Sequence, residues 1–463
     1  MTDLLSQLKQ ALGPKGVLTD ASDMEAYAID WRKLFPGKPL AVVRPANTQE
    51  VAAVVSLCKQ YGTALVPQGG NTGLAGGAVP DGSGREIVLS LSRMNALRSV
   101  DPIGMTLEAE AGLVLKAAQD AAEAVGRLLP ISLAAEGSAT IGGVIATNAG
   151  GVNVLRYGMT RALVLGLEVV LPDGSIVNGL RHLRKDNAGY DRKQIFIGTE
   201  GTLGIVTAAV LRLLPRPTQT VTALVSVADP QKALDFLVCA QNELGDSISA
   251  FELISGYSIK LVEQHFGIKC PIEASDWYVL IEAGATLSGL REAVEKALEQ
   301  ALESGLAHDG VIAESGKQAA DLWLLRERIT ESEAKQSKSV KHDVSVPIPA
   351  IPDFLQAAGE ALAKAAPGTM INCFGHLGDG NLHYNVLIKD HDPVLINHMV
   401  HDVVMAMGGS ISAEHGIGQY RVAELESRRS EPELHLSRQI KTALDPMDLM
   451  NPGKVLSRQG SPS

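Results

Sequence analysis

Cysteine is scarce in this chain: four in 463 residues, Cys58, Cys239, Cys270 and Cys373, widely spaced and without a C-x-x-C pair. That rules out a disulfide framework and a cysteine-built zinc finger, and it suits free thiols in a reducing compartment such as the cytoplasm. Positive charge is short as well. With 41 Lys and Arg against 52 Asp and Glu the net charge is -11, so a nucleic-acid role has no electrostatic support. An anionic substrate must therefore be met by a local group of cations working against the overall field. The charge-free stretch Gly137 to Leu155 is broken throughout by glycine and asparagine, and reads as a binding loop, not a membrane span. The first residues, Met1 to Lys9, read as an amphipathic helix and not as a signal or transit peptide. No G-x-G-x-x-G and no G-x-x-x-x-G-K-[ST] occurs, which argues against a Rossmann or P-loop nucleotide site. Repeats, low-complexity tracts and coiled-coil heptads are missing too; only the tail Ser457 to Ser463 looks disordered.

What is present is glycine, 46 residues of it, gathered into loops. The length allows two or three domains. Leu40 to Arg44 predicts a strand, Asn47 with Glu50 a capping box, and Val51, Val54, Val55 and Cys58 the buried face of a helix. A second strand, Ala64 to Pro67, runs into Gln68 to Gly77, where five glycines in ten residues leave no regular element. Glycines placed just after a strand let backbone N–H groups approach and cradle a phosphate. Glu136 to Gly151 and Ile197 to Val206 repeat the theme. Three such loops in one domain predict a long, phosphate-bearing ligand, since as mere connectors they would weaken packing for no gain. Between them Pro172-Asp173-Gly174 predicts a hairpin turn.

Pro215-Arg216-Pro217 marks the first domain boundary, giving an expected first domain over 1–217. Beyond it, strands at Val221 to Val227, Ser249 to Ile254 and Trp277 to Ala283 alternate with helices near Gln231 to Asn242 and Gly289 to Glu303, an α+β domain expected over 218–410. A helix around Ala319 to Glu333 is expected to carry Arg326 and Thr330 on one face. Residues 411–463 are expected to return to the first domain.

The densest chemistry lies in Cys373 to Asn385 and in Ala413-Glu414-His415-Gly416. A two-residue turn at Asp379-Gly380 would set His376 directly opposite His383, with Asn385 on their face. Opposed side chains at that spacing suit two ligands of one metal ion, and Glu414 is the natural third. The plainer alternative is a polar hairpin whose histidines only hydrogen-bond. Arg326 and Lys341 are either surface cations or, as a set, a carboxylate clamp.

Taken together, Pro67 to Gly77, Ile141 to Gly151, Gly198 to Val206 and the terminal Asn451-Pro452-Gly453-Lys454 resemble the vanillyl-alcohol-oxidase (PCMH-type) FAD-binding fold. Gly375 to Asn381 and Ala413 to Gly416 resemble the FAD-linked D-2-hydroxy acid dehydrogenases within it. The resemblance implies an α+β architecture: a two-part FAD-binding domain, a substrate-binding cap and a C-terminal segment. It implies that the first two glycine loops hold the FAD pyrophosphate and flank the isoalloxazine. The FAD contacts so implied are Pro67, Gln68, Gly69, Gly70, Asn71, Thr72, Gly73 and Gly76, then Gly137, Ser138, Ile141, Gly142, Gly143, Thr147, Asn148 and Gly151. Glu200, Gly201, Gly204, Ile205 and Asn451 complete them. Asn71 stands where many relatives carry a histidine bonded to the flavin, so dissociable FAD is expected. His376, His383 and Glu414 fall to a divalent metal, zinc by preference. Arg326, Thr330, Lys341, Asn385 and His415 fall to substrate, with His415 also the base.

The implied reaction is oxidation of a D-2-hydroxy acid to its 2-oxo acid, with a five-carbon dicarboxylate expected as substrate and D-lactate, D-malate or glycolate as the alternatives. An electron-transfer flavoprotein or a quinone-linked carrier would take the electrons, and a homodimer is suggested. The rival from another class is a zinc hydrolase in which His376, His383 and Glu414 activate water; it leaves the glycine loops unexplained.

Overall fold

A computed structural model of the chain describes residues 2–458; the expected tail lies outside them from residue 459 on. The chain forms two compact units. The first takes the residues up to Gly151, Gly158–Arg216 and the chain from Glu414 on, and the second takes Val152–Tyr157 and Pro217–Ala413. The short stretch 152–157 thus packs with the second unit, although the first domain was expected to run unbroken to residue 217.

Among the described residues the first unit holds two larger sheets and a two-stranded one, Arg127–Leu128 with Leu214–Pro215. In the four-stranded one, Ala41–Val43 and Leu65–Gln68 run parallel to Ile87–Ser90 between them, and Val17–Leu18 pairs antiparallel at the edge. The helix Thr48–Tyr61 crosses between strands, as parallel pairing requires. Its Asn47 cap accepts the Glu50 backbone N–H at 2.9 Å, and Gly62 ends it at φ 62°. Val51, Val54, Val55 and Cys58 are all at most 1% exposed, each valine contributing about 1.5–3 kcal/mol of burial. The second sheet is antiparallel, in the order Leu97–Asp101, Thr106–Glu110, Ile205–Arg212, Val164–Val170, Ile176–Gly179. Val170 faces Ile176 across the predicted Pro172-Asp173-Gly174 turn, where Gly174 takes φ 88°.

The second unit is built on an eight-stranded antiparallel sheet with Trp277–Ala285, Ile248–Ser255 and Met370–His376 at its centre. Alternation divides the strands between two cores. Phe251 and Leu253 join the larger core with residues of the helices Pro230–Leu244, Leu290–Glu303 and Ile351–Ala365. Ile254 and Phe374 join a smaller core with residues of Gly256–Phe266, Gly316–Glu327 and Ile329–Gln336. The expected single helix from Ala319 to Glu333 is therefore two helices divided at Arg328. Among the described residues no helix is long and apolar enough to cross a membrane.

Candidate active site

The three glycine loops meet around one cleft in the first unit. Its wall contains residues 67–73 of the first loop, Gly142, Gly143 and Thr147 of the second, and Glu200, Gly201, Gly204 and Ile205 of the third. The remaining expected contacts lie outside that wall, and most support it. Gly76 would press an added Cβ onto the Phe35 ring at 2.6 Å, and Ile141 is core. The Ser138 carbonyl closes against Gly70, and Asn148 Oδ1 accepts the Arg161 backbone N–H at 2.9 Å. Gly151, at φ 111°, packs against the Ser132 carbonyl. Asn451 is fully buried and donates to the carbonyls of Gly77 at 2.8 Å and Glu200 at 2.7 Å, tying the C-terminal motif to two loops. Gly137 has open space where a Cβ would stand.

The cleft suits a flavin nucleotide on two observations. Glycines 69 and 70 approach Thr140 and Ser138 so closely that no Cβ fits, which leaves bare backbone facing the cavity. The Thr140 hydroxyl, also in the wall, is buried without a hydrogen-bond partner among the described residues, a polar group positioned for a ligand. Sequence reasoning missed Thr140, because a threonine before a short helix reads only as a cap. Asn71 sits at φ 53° and donates to the Ile29 carbonyl at 2.8 Å.

His415 lines this same cleft. The strap that carries it is held by Glu200, whose two carboxylate oxygens accept the backbone N–H groups of Ile417 and Gly418, each at 2.8 Å. Burial pushes the Glu200 carboxyl above its ordinary value despite those two bonds. Glu200 itself adopts φ 52°, an uncommon conformation for a side chain of its size, next to Gly201 at φ 73°. A Cβ on Gly150 would meet the Glu414 carboxylate at 3.3 Å, so Glu414 lies against the second glycine loop.

In the second unit the histidine hairpin departs from the expected register. Met370–His376 and Asn381–Leu387 pair so that His376 faces Asn381 and His383 faces Phe374. The turn spans four residues, Leu377 to Gly380, not two. The His376 carbonyl accepts from both Asp379 at 3.2 Å and Gly380 at 3.1 Å, while the Gly378 N–H reaches the Phe251 carbonyl at 3.3 Å. The register slips by two residues, and a slip of two preserves the face. His376 and His383 therefore remain diagonal neighbours with ring centroids 6.0 Å apart.

Around them the other expected substrate residues are distributed unequally. Arg326, in the last turn of Gly316–Glu327, donates from Nε to Glu252 at 2.7 Å and stacks over Phe374 at 4.6 Å. Thr330 lies on the next helix and is exposed, so it does not share one helix face with Arg326. Lys341 pairs with Glu333 at 3.7 Å. Asn385, expected to face substrate, is buried with both amide atoms occupied: Nδ2 donates to Glu333 at 2.8 Å and Oδ1 accepts the His342 N–H at 3.3 Å.

Two fully buried carboxylates that sequence reasoning did not single out thus organise this face. Glu333 gathers Asn385, Asn372 and Lys341. Glu252 lies between His376 Nδ1 and Arg326 Nε. Burial pushes the Glu252 carboxyl up, but the charges and hydrogen bonds of His376 and Arg326 outweigh it and bring it down to about 2.

Comparison with known proteins gives the family of the chain. Residues 39–179 match a family described as FAD binding domain, and residues 216–455 match FAD linked oxidases, C-terminal domain. The mitochondrial D-2-hydroxyglutarate dehydrogenase of Bos taurus is 40% identical over 461 residues, covering 98% of this chain and 83% of that one. D-2-hydroxyglutarate dehydrogenase of Xanthomonas citri pv. viticola is 39% identical over 473 residues, covering 100% and 99%. The solved structure of an alkyldihydroxyacetonephosphate synthase matches with a TM-score of 0.76 at 18% identity, over 98% of this chain and 84% of that one, a likeness of fold. These matches leave no room for the zinc-hydrolase alternative. The chain belongs to the family of FAD-linked oxidoreductases that contains the D-2-hydroxyglutarate dehydrogenases.

Proposed function

We propose that this protein oxidises D-2-hydroxyglutarate to 2-oxoglutarate by passing the C2 hydride to FAD N5. The observation that carries the reading is His415, a general base by chemistry, in the wall of the cleft formed by the three glycine loops. FAD, when bound, supplies the hydride acceptor, and Asn71 in place of a linking histidine leaves it dissociable. His415 takes the proton of the substrate hydroxyl. The Arg326 guanidinium, gripped only at Nε among the described hydrogen bonds, offers its terminal NH₂ groups to a substrate carboxylate. Lys341 adds a second positive charge, which favours a dicarboxylate over lactate or glycolate.

His376, His383 and Glu414 would supply a two-histidine, one-carboxylate donor set for a divalent metal. Connectivity supports Glu414: the Ala413 N–H bonds the Asp343 carbonyl at 3.2 Å, Asp343 faces His383 in the sheet, and Glu414 is the next residue. When bound, the metal supplies Lewis acidity toward the substrate hydroxyl and carboxylate. Electrons leave to an electron-transfer flavoprotein or a quinone-linked carrier. A cytoplasmic setting accords with the four free thiols.

The test is anaerobic. The zinc-supplemented protein is purified and its flavin absorbance followed after adding D-2-hydroxyglutarate, D-malate or D-lactate. Rapid bleaching by the five-carbon acid, abolished by chelation and restored by zinc, is the expected result. Bleaching only by a shorter acid moves the substrate assignment, and colourless protein overturns the reading.

A further inference from the structure

We propose that Glu252 is a positioning residue that couples the two halves of the substrate site, orienting His376 toward the metal and Arg326 toward the substrate carboxylate. The inference rests on the metal and clamp roles given above to those two residues.

Glu252 lies in the centre of the eight-stranded sheet, directly opposite His376 on the neighbouring strand and with no exposed surface. A carboxylate in that position is costly unless both oxygens are satisfied. Here Oε1 meets His376 Nδ1 and Oε2 meets Arg326 Nε. An ordinary buried ion pair would explain one partner. It would not explain why both partners are groups to which substrate chemistry falls, one from a strand and one from a helix.

Each bond has a directional consequence. A proton held on His376 Nδ1 by the carboxylate makes Nε2 the ligand atom, the arrangement by which a carboxylate fixes the tautomer and the ring orientation of a metal-binding histidine. Capture of Arg326 through Nε, with Phe374 beneath the guanidinium plane at 4.6 Å, turns the terminal NH₂ edge outward. Phe374 in turn has its ring 5.0 Å from that of His383, so the clamp and both histidines share one packed row. Nor can a neutral isostere replace Glu252. An amide offers one oxygen and one NH₂, so either His376 Nδ1–H or Arg326 Nε–H would meet a donor.

The test compares FAD-loaded wild type, Glu252→Gln, Glu252→Asp and His376→Ala. Zinc affinity is measured by competition with a chelator of known affinity, and KM and kcat for D-2-hydroxyglutarate at saturating zinc. Fluorescence of Trp277 and Trp323, both in the second unit, reports folding. Glu252→Gln is expected to bind zinc about 10- to 100-fold more weakly and, with zinc restored, to show a raised KM. Glu252→Asp, which keeps the charge, is expected to recover part of both losses. Folded Glu252→Gln with wild-type zinc affinity and KM would overturn the role of Glu252, provided His376→Ala has lost zinc. If His376→Ala binds zinc like wild type, the metal reading itself fails. Should Glu252→Gln not fold, Glu252→Asp carries the same readings, and wild-type values there count against the proposal.

Discussion

Gly142 gives the most direct check on the flavin cleft, because two opposing effects can be weighed at one position. It sits in the short helix Ile141–Ala146, with its backbone N–H on the Ala111 carbonyl at 2.7 Å and one side in the cavity wall. Alanine there suits the helix and should stabilise it by about 1 kcal/mol over glycine. The added Cβ, however, would stand 2.7 Å from the Ala111 Cβ and 3.0 Å from its carbonyl oxygen, whereas ordinary contact begins near 3.4 Å. Ala111 is fully buried and cannot retreat, so the helix must move, and the direction open to it is the cleft. Overpacking of this kind costs about 1–3 kcal/mol, so the propensity gain is outweighed in most of that range. We expect Gly142→Ala to weaken FAD binding by about 10-fold, by the relation of about 1.4 kcal/mol per decade, and to lower the Tm of the apoprotein by a few degrees. Gly137→Ala, in the same loop but with nothing within 4 Å of its Cβ, is the control and should change neither. The assay is quenching of FAD fluorescence on titration into apoprotein, with thermal unfolding alongside. Equal affinity in Gly142→Ala, Gly137→Ala and wild type would refute the claim that this helix walls the flavin site.

Three further outcomes follow from the site. His415→Asn should slow substrate-driven flavin reduction by about 10²- to 10⁴-fold while FAD content stays unchanged, as stopped-flow absorbance at equal flavin occupancy will show; an unaltered rate would remove His415 as the base. Chelation should stop turnover without releasing FAD, and loss of yellow colour on chelation would mean that the metal holds the flavin domain instead of the substrate. Glu252 is depressed from 4.5 to about 2 in the folded chain, so its contribution, on the order of 3 kcal/mol, is complete above the unfolded value and is lost as pH falls through the folded one. Denaturant unfolding of zinc-free protein between pH 6 and 2 should show that loss in wild type and less of it in Glu252→Gln.

How much of this was legible in the sequence depends on whether a feature is local. The Asn47 cap, the turn at Pro172-Asp173-Gly174 and the three glycine loops are written in residues a few positions apart, and the structure places them close to where they were read, with the Glu50 carboxylate reaching the Ala46 N–H and not that of Asn47. The hairpin at His376 was half legible. Alternation decides which face a side chain takes, so both histidines fall on one side; turn length is decided by what the turn touches. Leu155 packs so tightly under Gly378 that a Cβ there would lie 2.5 Å from it, and the Gly378 N–H is drawn to Phe251. Neither partner is near in sequence. The break at Arg328 was invisible for a related reason: without glycine or proline, nothing local separates one helix from two.

The least legible residues are the two buried glutamates, and their invisibility is physical. A glutamate in a strand or helix normally faces water, and no spacing rule marks one that does not. Burial is affordable only where cations and amides from distant elements converge, so such a carboxylate is defined by its partners and not by its own segment. The sequence pattern picked out Arg326, Lys341, His376 and Asn385, the donors. Their acceptors, Glu252 and Glu333, come from 74, 8, 124 and 52 positions away respectively. A donor aimed at a substrate anion must first be held by a protein anion that cannot follow it outward. On this face the two glutamates meet that need: each is fully buried, each takes part of a donor group, and neither has room to turn toward solvent. If the proposed function holds, selectivity for a dianionic acid would depend on fixed negative charge behind the cations as much as on the cations themselves.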